Sequence, residues 1–282
     1  MIGEFFRDAS LQIRGRTLRL DELVNRKLFD PKYLDTLGAT LQPAQPFPHL
    51  VDHDWFNPLL LELVQEEFDL LGRDSMNSLS SSHHEATYRS AQSAYVTPAI
   101  FTYFSLLHSK WFIEILTQIS GVKHLMADTT LFGGGLHETR ANGRFDIHRD
   151  FDRHPGTGLR NEFVLITYLN HDWKTEHGGA LELWDQDASR CIASVAPEFG
   201  KVLILKHSER SYHGHPTPFT GPKPRRSLAS YYYTNPEALF VRAPKHGSTY
   251  LAPNAYDMLR TIAKRVTPPI VWDAITKSRR QT

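Results

Sequence analysis

A mostly β fold with N-terminal helices is what this sequence predicts: an antiparallel barrel of jelly-roll type flanked by α-helices. Three observations lead there. From about Leu125 onward the hydrophobic pattern alternates instead of recurring at helical spacing. The runs 163–169, 180–184, 202–205 and 227–233 are short, rich in branched and aromatic side chains, and have no helical segment between them. Before Leu125, by contrast, apolar residues recur three and four apart, the spacing of helices that bury one face.

Taken in order, the stretch up to Pro43 mixes charged and apolar residues, and Asp30-Pro31 marks a helix start with Asp30 as N-cap. Pro43, Pro46 and Pro48 break that pattern, and His49-Leu50-Val51 reads as a short strand. Asn57-Pro58 opens a stronger helix, in which Leu59, Leu60, Leu63, Val64, Phe68 and Leu71 form a core stripe that stops near Gly72. The serine-rich stretch 73–92, which contains His83 and His84, reads as a surface loop beside a cleft. Its two neighbouring imidazoles are poor candidates for one metal ion, because adjacent side chains diverge. Thr97-Pro98 starts the next helix; Ser109 caps another, which Gly121 ends. In the β region, Gly133-Gly134-Gly135, Asn142-Gly143, Gly178-Gly179 and 197–200 supply turns. Residues 255–266 spell an amphipathic helix, and Lys277, Arg279 and Arg280 a solvated basic tail.

The chain of 282 residues, 40% hydrophobic, can bury a sizeable core, and we expect a single catalytic domain over 1–282. Its parts are a mainly helical 1–122, a barrel core 123–235 and a C-terminal extension 236–282. A formal charge of +1 gives nucleic acid no bulk attraction. The one cysteine, Cys191, cannot form an intramolecular disulfide and fits a reducing compartment; it is expected to be a buried small hydrophobe in a strand. No run approaches the ~20 apolar residues of a spanning helix, and charges occupy the start where a signal peptide needs an apolar run. The expectation is a cytoplasmic protein with no membrane partner.

The chemistry concentrates in two stretches. In Phe145-Asp146-Ile147-His148-Arg149-Asp150, His148 and Asp150 are two apart, so on a strand they project to one side while Arg149 projects to the other. A third ligand from a distant strand, His213 in Arg210-Ser211-Tyr212-His213-Gly214-His215, would complete a two-histidine, one-carboxylate set. That set suits mononuclear iron(II) with one face open. His215 is a competing ligand. Arg225 and Ser227 share a strand face and could fork a carboxylate, which the phenol of Tyr168 could also reach. Arg149, Phe151 and Arg153, together with His137, Glu138 and Arg140, are candidates for the substrate entrance.

Six motifs in chain order are similar to a known family: Gly133-Gly134-Gly135-Leu136-His137-Glu138, His148-Arg149-Asp150-Phe151, Tyr168-Leu169-Asn170-His171-Asp172-Trp173, the run 178–185, Ser211-Tyr212-His213-Gly214-His215-Pro216 and the run 225–233. They resemble the 2-oxoglutarate- and iron(II)-dependent oxygenases, in the prolyl-4-hydroxylase-like branch, over roughly residues 120–235. The resemblance implies a double-stranded β-helix (jelly-roll, cupin-like) with iron held by His148, Asp150 and His213, and it places the ligand at the first histidine of the pair 213 and 215. It implies that Arg225, helped by Tyr168 and Ser227, pairs with the 5-carboxylate of 2-oxoglutarate. Strand alternation favours Arg225 over Arg226. Where animal prolyl hydroxylases place a tyrosine upstream of the first iron ligand, this chain has His137-Glu138.

The reaction implied is hydroxylation of an unactivated C–H of a small-molecule or peptidyl substrate, with prolyl as the first guess, using O2 and releasing succinate and carbon dioxide, with ascorbate as reductant. Desaturation and ring closure belong to the same chemistry. Asp150 argues against the halogenating relatives, which lack that carboxylate. The rival reading is a non-catalytic cupin-like binding or scaffold module.

Overall fold

The computed structural model describes residues 9–71, 76–78, 84–90, 97–235 and 262–263. The chain divides into two units, Met1–Pro236 and Glu237–Thr282, and the architecture below is that of the first. The helix expected over 255–266 and the basic tail lie outside the described residues, apart from two helical positions at 262–263.

After a small hairpin of β1 (Ser10–Ile13) and β2 (Arg16–Arg19), helices alternate with strands: α1 (Pro31–Leu41), β3 (His49–His53), α2 (Pro58–Leu71), β4 (Met76–Ser78), β5 (His84–Ser90), α3 (Pro98–Leu107) and α4 (Lys110–Ser120). The helix ends obey local chemistry. The Asp30 side chain accepts from Lys32 N at 3.0 Å and caps α1. The Ser109 side chain accepts from Phe112 N, and Gly121 closes α4 at φ 70°.

The β region follows: β6 (Met126–Ala127), β7 (Gly135–His148), β8 (Arg160–Tyr168), β9 (Leu181–Trp184), β10 (Cys191–Val195), β11 (Lys201–Lys206), β12 (His213–His215) and β13 (Arg225–Thr234). All pairings are antiparallel, in the order β10-β9-β12-β7-β13-β8-β11-β3, with β6 on β13 and β4–β5 attached to β7 through β5. The result is a nearly closed jelly-roll barrel with flanking helices, as the sequence predicts.

Strand alternation sorts the core into two. Phe163 and Leu165 of β8, Val202 and Ile204 of β11, and Leu228 and Tyr232 of β13 face the helices and join Leu60, Val64, Ile100 and Phe112. Their neighbours Val164 and Tyr168, Leu203 and Leu205, and Ala229, Tyr231 and Tyr233 face the barrel interior. With both faces covered, every residue of β13 is buried. Burying one such large side chain contributes roughly 1.5–3 kcal/mol, so the helices and barrel brace each other.

Three sequence expectations change. The stretch 73–92 is not all loop: β4 and β5 form a hairpin whose inner strand pairs with β7. Asn142-Gly143 makes no turn between strands; it bends β7, with Asn142 at φ 63°, so one long strand pairs with β13 along its first part and with β12 along its last. Cys191 lies in a strand but is exposed, because β10 is the sheet's terminal strand.

Candidate active site

The bend in β7 lets its C-terminal end meet β12, where His213 stands directly across from His148. Gly214 makes that approach feasible: a Cβ there would lie 2.7 Å from Asp146 O and 2.9 Å from Phe145 O, so a larger residue would push the strands apart. Asp150 lies just past the end of β7 and turns back between the two imidazoles. Its carboxylate oxygens are 3.6 Å from His148 Nε2 and 3.8 Å from His213 Nε2. One donor atom from each of the three residues lies within 4.8 Å of the others, and among the described residues this is the one such cluster. His83 lies outside the described residues, as does the side chain of His84.

The far side of each ring is already fixed. His148 Nδ1 donates to Asp146 O at 2.9 Å, and His213 Nδ1 donates to Ser211 O at the same distance. Both Nε2 lone pairs are thereby aimed at the cluster, the tautomer a metal ligand needs. Phe145 stacks on His148, ring centroids 4.1 Å apart, and holds its plane.

Electrostatics prepare the same end. Burial penalises the Asp150 carboxylate, yet the two imidazoles outweigh it and leave its pKa far below the usual carboxylate range. Burial depresses the His213 pKa, which keeps that ring neutral. For His148, burial works against the charge, but the Asp150 carboxylate prevails and raises its pKa. Two imidazoles and a carboxylate with fixed tautomers fit a divalent first-row ion that keeps open positions.

These ligands border a cavity of about 360 Å³ inside the barrel. Deeper along its wall is Arg225, whose Nε donates to Gly179 O at 2.6 Å and whose stem packs against Gly179. A Cβ at Gly179 would crowd Arg225 Cδ to 3.0 Å, and φ is +70°, so glycine is required there. Arg225 is 5% exposed and has no carboxylate partner among the described residues. Its guanidinium sits 5.2 Å over the Tyr168 ring, and the Tyr168 hydroxyl is buried with no hydrogen-bond partner. A buried guanidinium beside an orphaned phenol is costly unless an anion reaches them. Ser227 stands directly across from Tyr168 and lines the same cavity. Arg226 points the other way, bonded to Glu138 at 2.9 Å and Asp69 at 2.7 Å over the Phe68 ring. The alternation read from the sequence is the observed one.

With this geometry in view, residues 134–233 match the sequence profile described as the 2OG-Fe(II) oxygenase superfamily. A domain similar to that superfamily thus spans residues 134–233. No curated protein matches it by sequence. Among solved structures, the oxygenase resembles a Pseudomonas putida prolyl-4-hydroxylase, at 14% identity and TM-score 0.51 over 71% of this chain and 99% of that one. It also resembles a Trichoplax adhaerens prolyl hydroxylase solved with a hypoxia inducible factor oxygen degradation domain peptide fragment, at 12% identity and TM-score 0.51, covering 72% and 91%. A third neighbour is the non-heme alpha ketoglutarate dependent epimerase SnoN from nogalamycin biosynthesis, at 16% identity and TM-score 0.52, covering 79% and 94%. At these identities the shared property is the fold. Iron(II), 2-oxoglutarate and O2 are the superfamily's cofactor and cosubstrates, and the oxygenase is a dioxygenase of that class.

The other sequence candidates separate. Arg149, Phe151 and His137 line the cavity. Glu138 borders it, but its carboxylate is taken by Arg140 and Arg226. Arg153 instead donates to Gly158 O from an exposed position. Sequence reasoning missed Tyr231, whose hydroxyl is pushed well above its ordinary pKa by burial and then by the Asp150 carboxylate. The alternation Arg225, Ser227, Ala229, Tyr231 already placed it on the cavity face. Thr87, Tyr88 and Arg89 of β5 were also missed.

Proposed function

We propose that the oxygenase hydroxylates an unactivated C–H of a small-molecule or peptidyl substrate in the cytoplasm, with His148, Asp150 and His213 holding iron(II) and Arg225, Tyr168 and Ser227 holding 2-oxoglutarate. The observation that carries this reading is the pairing, in one cavity, of a three-residue cluster with a buried arginine that has no counter-ion among the described residues. When bound, iron(II) with 2-oxoglutarate and O2 supplies the oxidising power for hydrogen removal and hydroxyl return, with loss of succinate and carbon dioxide.

The chain's own groups do the positioning. Beyond the Nε–H given to Gly179 O, Arg225 offers its two NH2 groups, a fork that matches a carboxylate. Tyr168 remains protonated, since burial raises its pKa and Arg225 offsets this only in part; it is therefore a donor. The aromatic wall of Phe145, Phe151 and Tyr231 excludes water from the ligand end. Prolyl substrates are the first guess, supported by the fold shared with the Pseudomonas putida and Trichoplax adhaerens enzymes. Among the described residues no helix is long and apolar enough to cross a membrane.

Succinate release from 2-oxoglutarate under iron(II) and ascorbate tests the proposal. We expect slow turnover without substrate and tight cosubstrate binding by calorimetry. Absence of both would favour a cupin-like binding or scaffold module. The unpaired Arg225 speaks against that alternative, since a scaffold has no use for a buried cation.

A further inference from the structure

Arg89 lies on β5, a strand attached to the barrel, among the described residues, through β7. Register places it directly across from His137, which is across from Ser227, which is across from Tyr168. Residues directly opposite one another on antiparallel strands project to the same face. The four therefore form one row across β5, β7, β13 and β8, and all four line the cavity. Arg89 occupies the end of the row farthest from Tyr168.

Arg89 is the surplus cation on the cavity wall. Of the three guanidinium groups there, Arg149 is neutralised by Asp152 at 2.7 Å, and Arg225 is the group assigned to 2-oxoglutarate. The carboxylates are occupied as well: Glu138 by Arg140 and Arg226, and Asp150 between the two imidazoles. His137, beside Arg89, donates through Nε2 to Gly133 O at 3.1 Å, and its pKa is lowered to about 4 by burial and then by Arg89, so it supplies a neutral neighbour. Among the described residues nothing anionic lies within ion-pair distance of Arg89. A second guanidinium thus faces a cavity whose nearby surface also carries the aromatic pair Phe132 and Phe151, ring centroids 5.4 Å apart.

We propose that Arg89 is the anchor for a carboxylate on the primary substrate, which makes that substrate a compact organic acid with an apolar body, such as a free amino acid, in preference to an internal residue of a peptide. A guanidinium fork binds a carboxylate through two parallel hydrogen bonds, and in a cavity of about 360 Å³ shared with 2-oxoglutarate there is room for a small acid. The inference rests on the iron and cosubstrate sites proposed above.

The test is equilibrium binding, so turnover does not enter it. Benzoate and benzamide are titrated calorimetrically into the full chain, with manganese(II) and saturating 2-oxoglutarate, in the wild type and in Arg89→Gln, Arg89→Lys and Arg225→Gln. Charge-assisted pairing predicts that benzoate binds the wild type at least about 10-fold more tightly than benzamide, that Arg89→Gln abolishes the preference and that Arg89→Lys keeps part of it. Affinity for 2-oxoglutarate should be unchanged by Arg89→Gln and weakened by Arg225→Gln. Equal binding of the two probes, binding of neither, or a preference that survives Arg89→Gln overturns the proposal. So does a loss of 2-oxoglutarate affinity in Arg89→Gln matching that in Arg225→Gln, which would move Arg89 into the cosubstrate site. Failure of the wild type to bind 2-oxoglutarate would instead sink the cosubstrate-site reading, a separate and visible result.

Discussion

The two ends of the barrel cavity are finished to different degrees. At the β7–β12 end the three clustered side chains already have partners: the Nδ1 atoms of His148 and His213 donate to carbonyls two residues earlier, and Asp150 lies within 4 Å of both Nε2 atoms. At the β8–β13 end, among the described residues, Arg225 is buried without a carboxylate and the Tyr168 hydroxyl has no hydrogen-bond partner. The contrast fits the proposed roles: a cluster whose rings are already oriented for a metal ion at one end, and at the other a deficit that an incoming anion would remove. Substitutions should therefore act on metal content at one end and on cosubstrate affinity at the other.

The largest effect is expected at the ligand end. Asp150→Ala should lower iron content and 2-oxoglutarate turnover by more than about 100-fold, since even groups behind the ligands are worth 10–100-fold. Elemental analysis with a succinate assay checks this, and retained metal would remove Asp150 from the ligand set. At the other end, Arg225→Gln should raise the half-saturating 2-oxoglutarate concentration roughly 10–100-fold with metal content intact. Its neighbour gives the control. Arg226→Gln should cost about 1–3 kcal/mol of folding stability in urea, by loosening the bonds to Glu138 and Asp69, and leave cosubstrate affinity unchanged. Were the two variants to exchange phenotypes, the facing of β13 would be reversed.

Smaller effects sharpen the contrast. Tyr168→Phe should weaken 2-oxoglutarate binding by about 3–10-fold, and the melting temperature should hold or rise because an unsatisfied buried hydroxyl is removed. A further effect concerns pH. His137 is depressed to about 4 by burial and then by Arg89, so the unfolded chain takes up a proton near pH 6.5 that the folded chain refuses. Stability therefore falls as pH drops through the window from about 6.5 to about 4. In His137→Asn that acid-side loss should shrink, which urea melts at pH 7 and pH 5 would register; an unchanged difference would show that His137 is not its source.

Much of this was legible from sequence, for identifiable reasons. Alternation in 225–233 separates Arg225, Ser227 and Tyr231 from Arg226 and Tyr232 without any coordinates, because a strand has a period of two. The helices announced themselves through Asp30-Pro31, Ser109 and Gly121, whose capping chemistry is local. What escaped depends on partners distant in the chain. Asn142-Gly143 carries a turn signal, yet pairing on both sides of β7 converts it to a bend within a strand. The serines of 73–92 masked Thr87 and Arg89, whose inward facing is decided by β7. Cys191 opens a strand, and the place of that strand at the end of the sheet exposes it.

Strand β13 is buried at all ten positions, with chemistry on one face and helix packing on the other. Strand β5 touches the barrel through β7 and ends its own small branch with β4. For protein engineering, this divides the molecule into a chassis and an exchangeable part. Grafting a different β4–β5 hairpin would retarget the oxygenase to another acid while leaving its oxidising centre alone, whereas a swap of β13 would forfeit both.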